Sequence, residues 1–527
     1  MGNDRVPFFN IERALCSVGF VAFLAYFGLH CFRYTWYYDF RSYVGAVHSL
    51  YQNLADPPHE AMSVSGKYSL WFTPYFVLIA VLGRAMGVSP YRALQVAGLF
   101  NLSFYLAALL LFFRQFSRFP RSWLPPLIFL VVSLFLRSRV YFWSSETSFA
   151  SLRLIAAYPS MFAWATAIAS FGLADQYLRG ARSVSRERIQ LFLIGSATWV
   201  VMLSHLLTAS WMMEILAVLD LYRLATATPD DRKSVFRRSI MLACAVCAGA
   251  ALTLAWPYFN IVENFILVSV PENAPFGSEP FGSMTGLYAL AVIALLFFLR
   301  WRSHGFLVVG FLATLMAYAL FRFVNLPYGD RYVFFQAFFA QAAVAEIASF
   351  GILHLFDRTF RPQAERVVAG VFAAVMVILI AVAPTGKDME RAPVLSLKEL
   401  LTGPSSHDLY YHHFDALKPF LDARDMVLSH LEPDALDVTT LTGARVVISP
   451  YSYHVPDYAE RVSDLERFFR SDSTRGERDR IIDHYGITKI LLIGEHRNLG
   501  PQVTAWFGPP IASTQTTLLY RTRGDTL

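Results

Sequence analysis

Long apolar runs separated by short basic clusters dominate the pattern of this chain. Runs of about 20 apolar residues match the helix length needed to cross the hydrocarbon core of a bilayer. They fall near residues 14–32, 94–114, 123–138, 153–177, 190–205, 207–222, 238–257, 284–300, 304–322, 332–355 and 366–384, which predicts about eleven transmembrane helices. Basic clusters lie at Arg114/Arg118/Arg121, Arg179 to Arg188, Arg223 to Arg238, Arg300/Arg302 and Arg358 to Arg366. If each is cytoplasmic, the amino terminus is inside and the carboxyl terminus outside. External loops then fall at about 33–92, 139–152, 258–283 and 323–331.

Two stretches resist the simplest count. The run 69–86 (LWFTPYFVLIAVLGRAMG) is apolar enough to span, but counting it would put RQFSRFPR outside the cell. The expectation is an interfacial or re-entrant helix within the first external loop. The run 190–222 is too long for one ordinary span and is basic at both ends, so two helices turning near Ser204–Ser210 are expected. The first run follows Arg5 and Arg13 and is read as a retained helix, since it is long and has no convincing small-residue cleavage site.

From about residue 385 the pattern changes to polar sequence with short alternating runs. Strands are expected at RVVIS (445–449), KILLIG (489–494) and TTLLYRT (516–522), and a helix over Leu465 to Tyr485. The expected organisation is a multi-span membrane domain over 1–384 and a small external α/β domain over 385–527.

Composition supports a membrane protein: 55% of the 527 residues are hydrophobic and only 16% charged. The net charge of +6 could suggest nucleic acid, but the cations sit in short clusters between spans, so none is expected as a partner. Cys16, Cys31, Cys244 and Cys247 all lie in apolar runs, which leaves the CxxC spacing of the last two without a redox or zinc reading.

With this topology the informative charges collect on the external side. Asp39, set in YTWYYDFRSY, and His48, Asp56, His59, Glu60 and Lys67 lie in the first loop. Glu146 lies in the second (FWSSETS), Glu263 follows WPYFN, and Asp330 and Arg331 sit in YGDRY. A phosphate leaving group calls for cations, for which Lys67 and Arg331 are candidates against a reading as snorkelling or ordinary loop residues. A hydroxyl acceptor calls for a base, for which Asp39 is the candidate. Asp39 and Glu146 together would also suit Mg²⁺ or Mn²⁺, which prefer oxygen ligands.

The arrangement resembles the GT-C superfamily of membrane glycosyltransferases, which use polyprenyl-phosphate sugars as donors. The resemblance rests on an acid just after the first span (Asp39), on KYSLWFTPY (67–75), and on GVSPYRALQVAGLFNLSFYLAALLLFF (87–113). It rests further on a second acid between the third and fourth spans (Glu146) and on the tail pattern TGARVVIS…HYGITKILLIG. It covers most of the chain, with Asp39–Phe40 standing where a DxD or acidic doublet is absent.

The resemblance implies an α-helical polytopic GT-C-like enzyme, a hexosyl- or pentosyltransferase of a bacterial cytoplasmic membrane. The sugar would pass from a polyprenyl-phosphate donor to a glycan, lipid or protein acceptor outside. Asp39 would be the base or a metal-organising acid, Glu146 its partner, and a divalent cation the cofactor. Lys67 and Arg331 would face the donor phosphate, and His59, His205 (in SHLLTAS) and Glu263 complete the substrate-facing set.

Rival readings stay open. Glu214 and Glu346 lie inside apolar runs, where carboxylates are costly, and favour a proton-coupled transporter or lipid flippase. Matched interrupted helices, the mark of such transporters, are not evident. A polysaccharide polymerase or ligase would also be polytopic, as would a non-catalytic scaffold. His454 and Asp457 in HVPD read as an ordinary turn with a satisfied histidine.

Overall fold

The computed structural model describes residues 6–34, 39–57, 71–135, 149–180, 183–262, 305–324, 332–359, 402, 416–422, 424–430, 433–448 and 457–522. The chain divides into two compact units. One comprises Met1–Cys31, Gly98–Ala255 and Val268–Thr402; the other comprises Phe32–Ala97, Trp256–Leu267 and Gly403–Leu527. The first-loop segment therefore clusters with the tail.

Helices carry the first unit: α1 (Val6–Tyr34), α4 (Pro90–Phe116), α5 (Leu124–Phe135), α6 (Phe149–Ile155), α7 (Pro159–Arg179), α8 (Val184–Ser204), α9 (Leu206–Thr226) and α10 (Pro229–Leu252), then α11 (Gly305–Phe323) and α12 (Val333–Thr359). Among the described residues, five segments, Ile11–Arg33, Pro90–Phe116, Pro229–Ala255, Gly305–Phe323 and Val333–Phe350, are long and apolar enough to cross a membrane. The protein is integral to the membrane. The expected spans 284–300 and 366–384 lie outside the described residues.

Packing in this unit relies on rings and on close backbones. Trp164 of α7, Trp211 of α9 and Phe335 of α12 stack with centroids 4.7, 4.8 and 5.2 Å apart. Lipid offers no hydrophobic gain for such contacts, so dispersion and shape hold them. Between α8 and α10 small residues let the backbones touch: a Cβ on Gly249 would lie 2.2 Å from the Gly195 carbonyl oxygen.

Two buried carboxylates in the same unit are paired. The buried Glu12 carboxylate accepts from the Ser122 hydroxyl and from the Trp123 and Leu124 amides at 2.7, 2.7 and 3.0 Å. These are the otherwise orphaned donors at the start of α5. Asp175, fully buried, holds Arg179 at 2.7 Å and accepts from Arg223 Nε at 2.6 Å.

Two expected spans begin or divide differently. The run 153–177 is interrupted: Tyr158 is extended (φ −80°, ψ 150°) and Pro159 opens α7. Asn101 of α4 fixes the break by donating to the Ala156 and Tyr158 carbonyls at 2.9 and 3.4 Å. Proline at the first helical position lacks only a donor that would be unpaired anyway, so it starts α7 and cannot continue α6. The run 190–222 does divide, at His205, and its first helix begins earlier than expected because Ser183 caps it and accepts from the Arg186 amide at 3.4 Å.

In the second unit, α2 (Phe40–Gln52) packs on α3 (Pro74–Ala85). Thr73 caps α3 and Pro74 opens it. With 12 residues it is about 18 Å long, against the roughly 30 Å of a bilayer core, so it does not span.

The tail holds a five-stranded sheet of β1 (Met426–Leu428), β2 (Arg445–Val446), β3 (Lys489–Ile493), β4 (Ala512–Ser513) and β5 (Thr517–Arg521) in the order β2-β1-β3-β5-β4. β2, β1 and β3 run parallel, and β5 pairs antiparallel to β3 with Leu491 opposite Leu519. Helices α13 (Pro433–Thr442), α14 (Tyr458–Phe469), α15 (Arg475–Tyr485) and α16 (Gly500–Phe507) accompany it. The single helix expected over Leu465–Tyr485 is two, because Thr474 and Glu477 form a reciprocal capping box that starts α15 afresh. The buried Arg478 then ties α14, α15 and α16, donating to Phe468 O at 2.8 Å and Gln502 Oε1 at 3.0 Å over the Trp506 ring.

Candidate functional site

Asp39 occupies the cap position of α2, where an aspartate ordinarily accepts from the first amides of the helix. It does not do so: its backbone is already helical (φ −58°, ψ −19°) and its side chain makes no capping bond. The carboxylate is half-buried. The acid therefore heads the helix without capping it through its side chain, and its carbonyl accepts from the Tyr43 amide at 3.0 Å.

What surrounds α2 is aromatic and well anchored. Phe40, fully buried, meets the Tyr91 ring edge-on at 5.9 Å. Tyr43 packs on Trp71 and Phe76, both with centroids 5.0 Å away. The WPYFN segment also joins this unit: Trp256 Nε1 donates to Phe72 O at 2.9 Å and the Tyr258 hydroxyl to Leu54 O at 2.5 Å. Two segments about 200 residues apart in sequence are thus braced to each other, with side-chain donors of one satisfying backbone carbonyls of the other.

His205 is described too, in the other compact unit. Its Nδ1 accepts from the Thr208 amide at 3.3 Å and contacts the Thr208 hydroxyl at 2.7 Å, so the ring caps α9. Lys67, His59, Glu146, Glu263 and Arg331 lie outside the described residues, as does His454. Asp457 forms an i,i+4 pair with Arg461 at 2.9 Å, and Arg461 also donates to Val447 O at 3.0 Å.

The two carboxylates that fall in apolar runs, Glu214 and Glu346, have structural partners. Glu214 accepts from the buried Tyr332 hydroxyl. Glu346, 1% exposed, accepts from the Arg118 amide at 3.3 Å.

One cation escaped the sequence reading. Arg153, in the last turn of α6, is 2% exposed. Tyr26 and His30 of α1 lie within electrostatic reach of its guanidinium, with their rings 5.2 Å apart. A buried arginine is costly unless neighbouring groups offset its desolvation. The available signal was a lone Arg in SLRLIAAYP, beside the loop that carries Glu146. Among the described residues no group of three His, Cys, Asp or Glu side chains is arranged to hold a metal ion.

The overall architecture is shared with solved structures. The chain is similar to ArnT from Cupriavidus metallidurans in its apo state, with TM-score 0.54 at 13% identity over 96% of this chain and 98% of that one. It is similar also to the same protein bound to undecaprenyl phosphate, with TM-score 0.53, 13% identity and 98% coverage of both chains. An oligosaccharyltransferase from Archaeoglobus fulgidus in the apo form aligns with TM-score 0.49 at 11% identity, over 92% of this chain and 69% of that one. No family model and no protein of curated function matches by sequence.

Proposed function

We propose that the protein is an integral-membrane glycosyltransferase that moves a sugar from a polyprenyl-phosphate donor to a hydroxyl acceptor on the extracytoplasmic face. The observation that carries this reading is the position of Asp39, a half-buried acid at the head of an anchored loop helix that follows the first helix of the chain. The resemblance to the GT-C superfamily and the undecaprenyl phosphate bound by ArnT support the donor class. Fold alone does not assign chemistry, so the weight rests on the residues.

In the proposed reaction the acceptor oxygen attacks the anomeric carbon while Asp39 takes its proton. The bond from that carbon to the phosphate oxygen breaks, and its electron pair leaves with polyprenyl phosphate. Glu146 acts beside Asp39. Lys67, Arg331 and the newly located Arg153 supply cations for the leaving phosphate, Arg153 by a planar fork suited to phosphate oxygens. His59, His205 and Glu263 are the remaining substrate-facing groups. The divalent cation implied by the resemblance would fall on Asp39 and Glu146, of which Asp39 alone is described; when bound it would polarise phosphate oxygen, and no step above depends on it. About eleven spans, with the amino terminus cytoplasmic and a tail domain from about residue 385 outside, complete the reading and suit a bacterial cytoplasmic membrane.

Asp39→Asn and Glu146→Gln in purified protein, assayed for polyprenyl phosphate release, test the site. Each should lower turnover by about 100-fold or more, as loss of a positioned base does. Full turnover in both would remove the site. The transporter reading draws less support, because Glu214 and Glu346 are both engaged by neighbouring groups.

A further inference from the structure

Helix α13 of the tail grips the first-loop helix α2 along one stripe. Arg41 of α2 pairs with Asp437 at 3.3 Å, and Asp437 is 1% exposed. The Thr440 hydroxyl donates to the Arg41 carbonyl at 2.8 Å. Just beyond α13, Gly443 turns through φ +74°, and a Cβ there would lie 2.6 Å from Gln52 Nε2 and 2.9 Å from His48 Nε2. At about 100° per residue, positions 41, 48 and 52 fall within roughly 40° of one another on the α2 surface. Asp39 and Tyr43 lie roughly 160° from Arg41, on the side where Tyr43 meets Trp71 and Phe76.

The helix is therefore held from behind. The tail takes the face with Arg41, His48 and Gln52, and leaves the face with Asp39 to the aromatic wall of the first loop. A glycine is needed at 443 twice over, for the left-handed backbone and for the close approach. An ion pair this well buried on one partner contributes registry as much as stability, since shifting α2 would strand Asp437.

We propose that Arg41, Asp437 and Gly443 are positioning residues: through them the tail domain fixes the azimuth and register of α2, and so the place of the Asp39 carboxylate. This rests on the proposed glycosyl transfer, in which Asp39 acts on the acceptor. It gives the tail a task in the reaction without giving it any reacting group.

The test uses full-length protein in lipid nanodiscs and compares Arg41→Gln, Asp437→Asn and Gly443→Ala with the wild type. Two quantities are read: hydrogen exchange of the amides of residues 40–52, and kcat and KM for the polyprenyl-phosphate donor. Each variant should speed exchange in α2, by at least tenfold for Asp437→Asn. Each should lower kcat by at least fivefold while donor KM stays within twofold. The Arg41→Gln/Asp437→Asn double variant should be no slower than the slower single variant.

Unchanged exchange in α2, or faster exchange with unchanged kcat, overturns the proposal. Failure of the underlying reading looks different: either the wild type releases no polyprenyl phosphate, or Asp39→Asn keeps full turnover.

Discussion

Gly249→Ala is the sharpest structural perturbation the membrane unit offers. The added Cβ would stand 2.2 Å from the Gly195 carbonyl oxygen and 3.0 Å from Thr198 Cβ. Ordinary contact begins near 3.4 Å, so α10 must retreat from α8 by about 1 Å. Backbone is met on the facing helix, so no rotamer change relieves the clash. Overpacking of this kind costs about 1–3 kcal/mol, and the upper half of that range is expected here. The reciprocal change is milder: a Cβ on Gly195 would meet the Ala245 carbonyl oxygen at 3.0 Å, a shortfall of a few tenths of an ångström. About 1 kcal/mol or less should follow. Thermal unfolding in a fixed detergent, with urea or SDS titration to convert midpoints into free energies, measures both. Gly249→Ala within about 0.5 kcal/mol of wild type, or Gly195→Ala the more damaging of the two, would refute the close-approach argument.

Three further outcomes follow from the site and the tail. Arg153→Gln should lower kcat/KM for the donor by about 10- to 150-fold, the equivalent of one charged hydrogen bond to phosphate at about 1.5–3 kcal/mol; unchanged kinetics would remove it from the phosphate-binding set. Burial pushes the Asp425 carboxyl up, but hydrogen bonds from Lys489, Thr488 and the Asp422 amide outweigh it and hold the group below its ordinary range. A depressed acid stabilises above the unfolded value near 3.9 and loses that as pH falls through the folded value. Protection of the Lys489–Ile493 amides, corrected for intrinsic exchange, should therefore drop in acid for wild type and lose that dependence in Asp425→Asn. For His48 the sign is opposite to that of a paired histidine: burial lowers its affinity for a proton, the Thr440 backbone partly restores it, and Lys418 lowers it further. The contact between α2 and α13 should be fully formed above about pH 6.5 and weaken below it, read as faster exchange in residues 40–52; a joint that tightens in acid would contradict this.

Five long apolar helices among the described residues were legible because their signal is compositional and long. The charge pattern also excluded 69–86 as a span, and the observed α3 is too short for one. Breaks inside spans were less visible. His205 was a foreseeable hinge, since it divides a run of double length, but the interruption at Tyr158 depends on Asn101, a residue of another helix. In the tail, β3 and β5 stand out by their apolar runs, whereas β1 and β4 have three and two residues and exist only through pairing. Glu214 and Glu346 looked functional because a sequence does not show that Tyr332 and the Arg118 amide reach them. Arg153 was missed for the converse reason: its burial is tertiary, and in sequence it is one arginine at the edge of a span. Asp39 was legible as a candidate from its position after the first span; that its carboxylate leaves α2 uncapped was not.

The central claim is glycosyl transfer from a polyprenyl-phosphate sugar. Purified protein in nanodiscs, given a polyprenyl-phosphate donor labelled in both lipid and sugar together with candidate acceptors, tests it most directly by mass spectrometry of the lipid products. The account predicts stoichiometric release of polyprenyl phosphate and appearance of the sugar on the acceptor, both reduced by about 100-fold or more in Asp39→Asn. Unaltered donor with wild-type protein across the acceptor panel, accompanied by proton-dependent solute uptake in sealed vesicles, would contradict it.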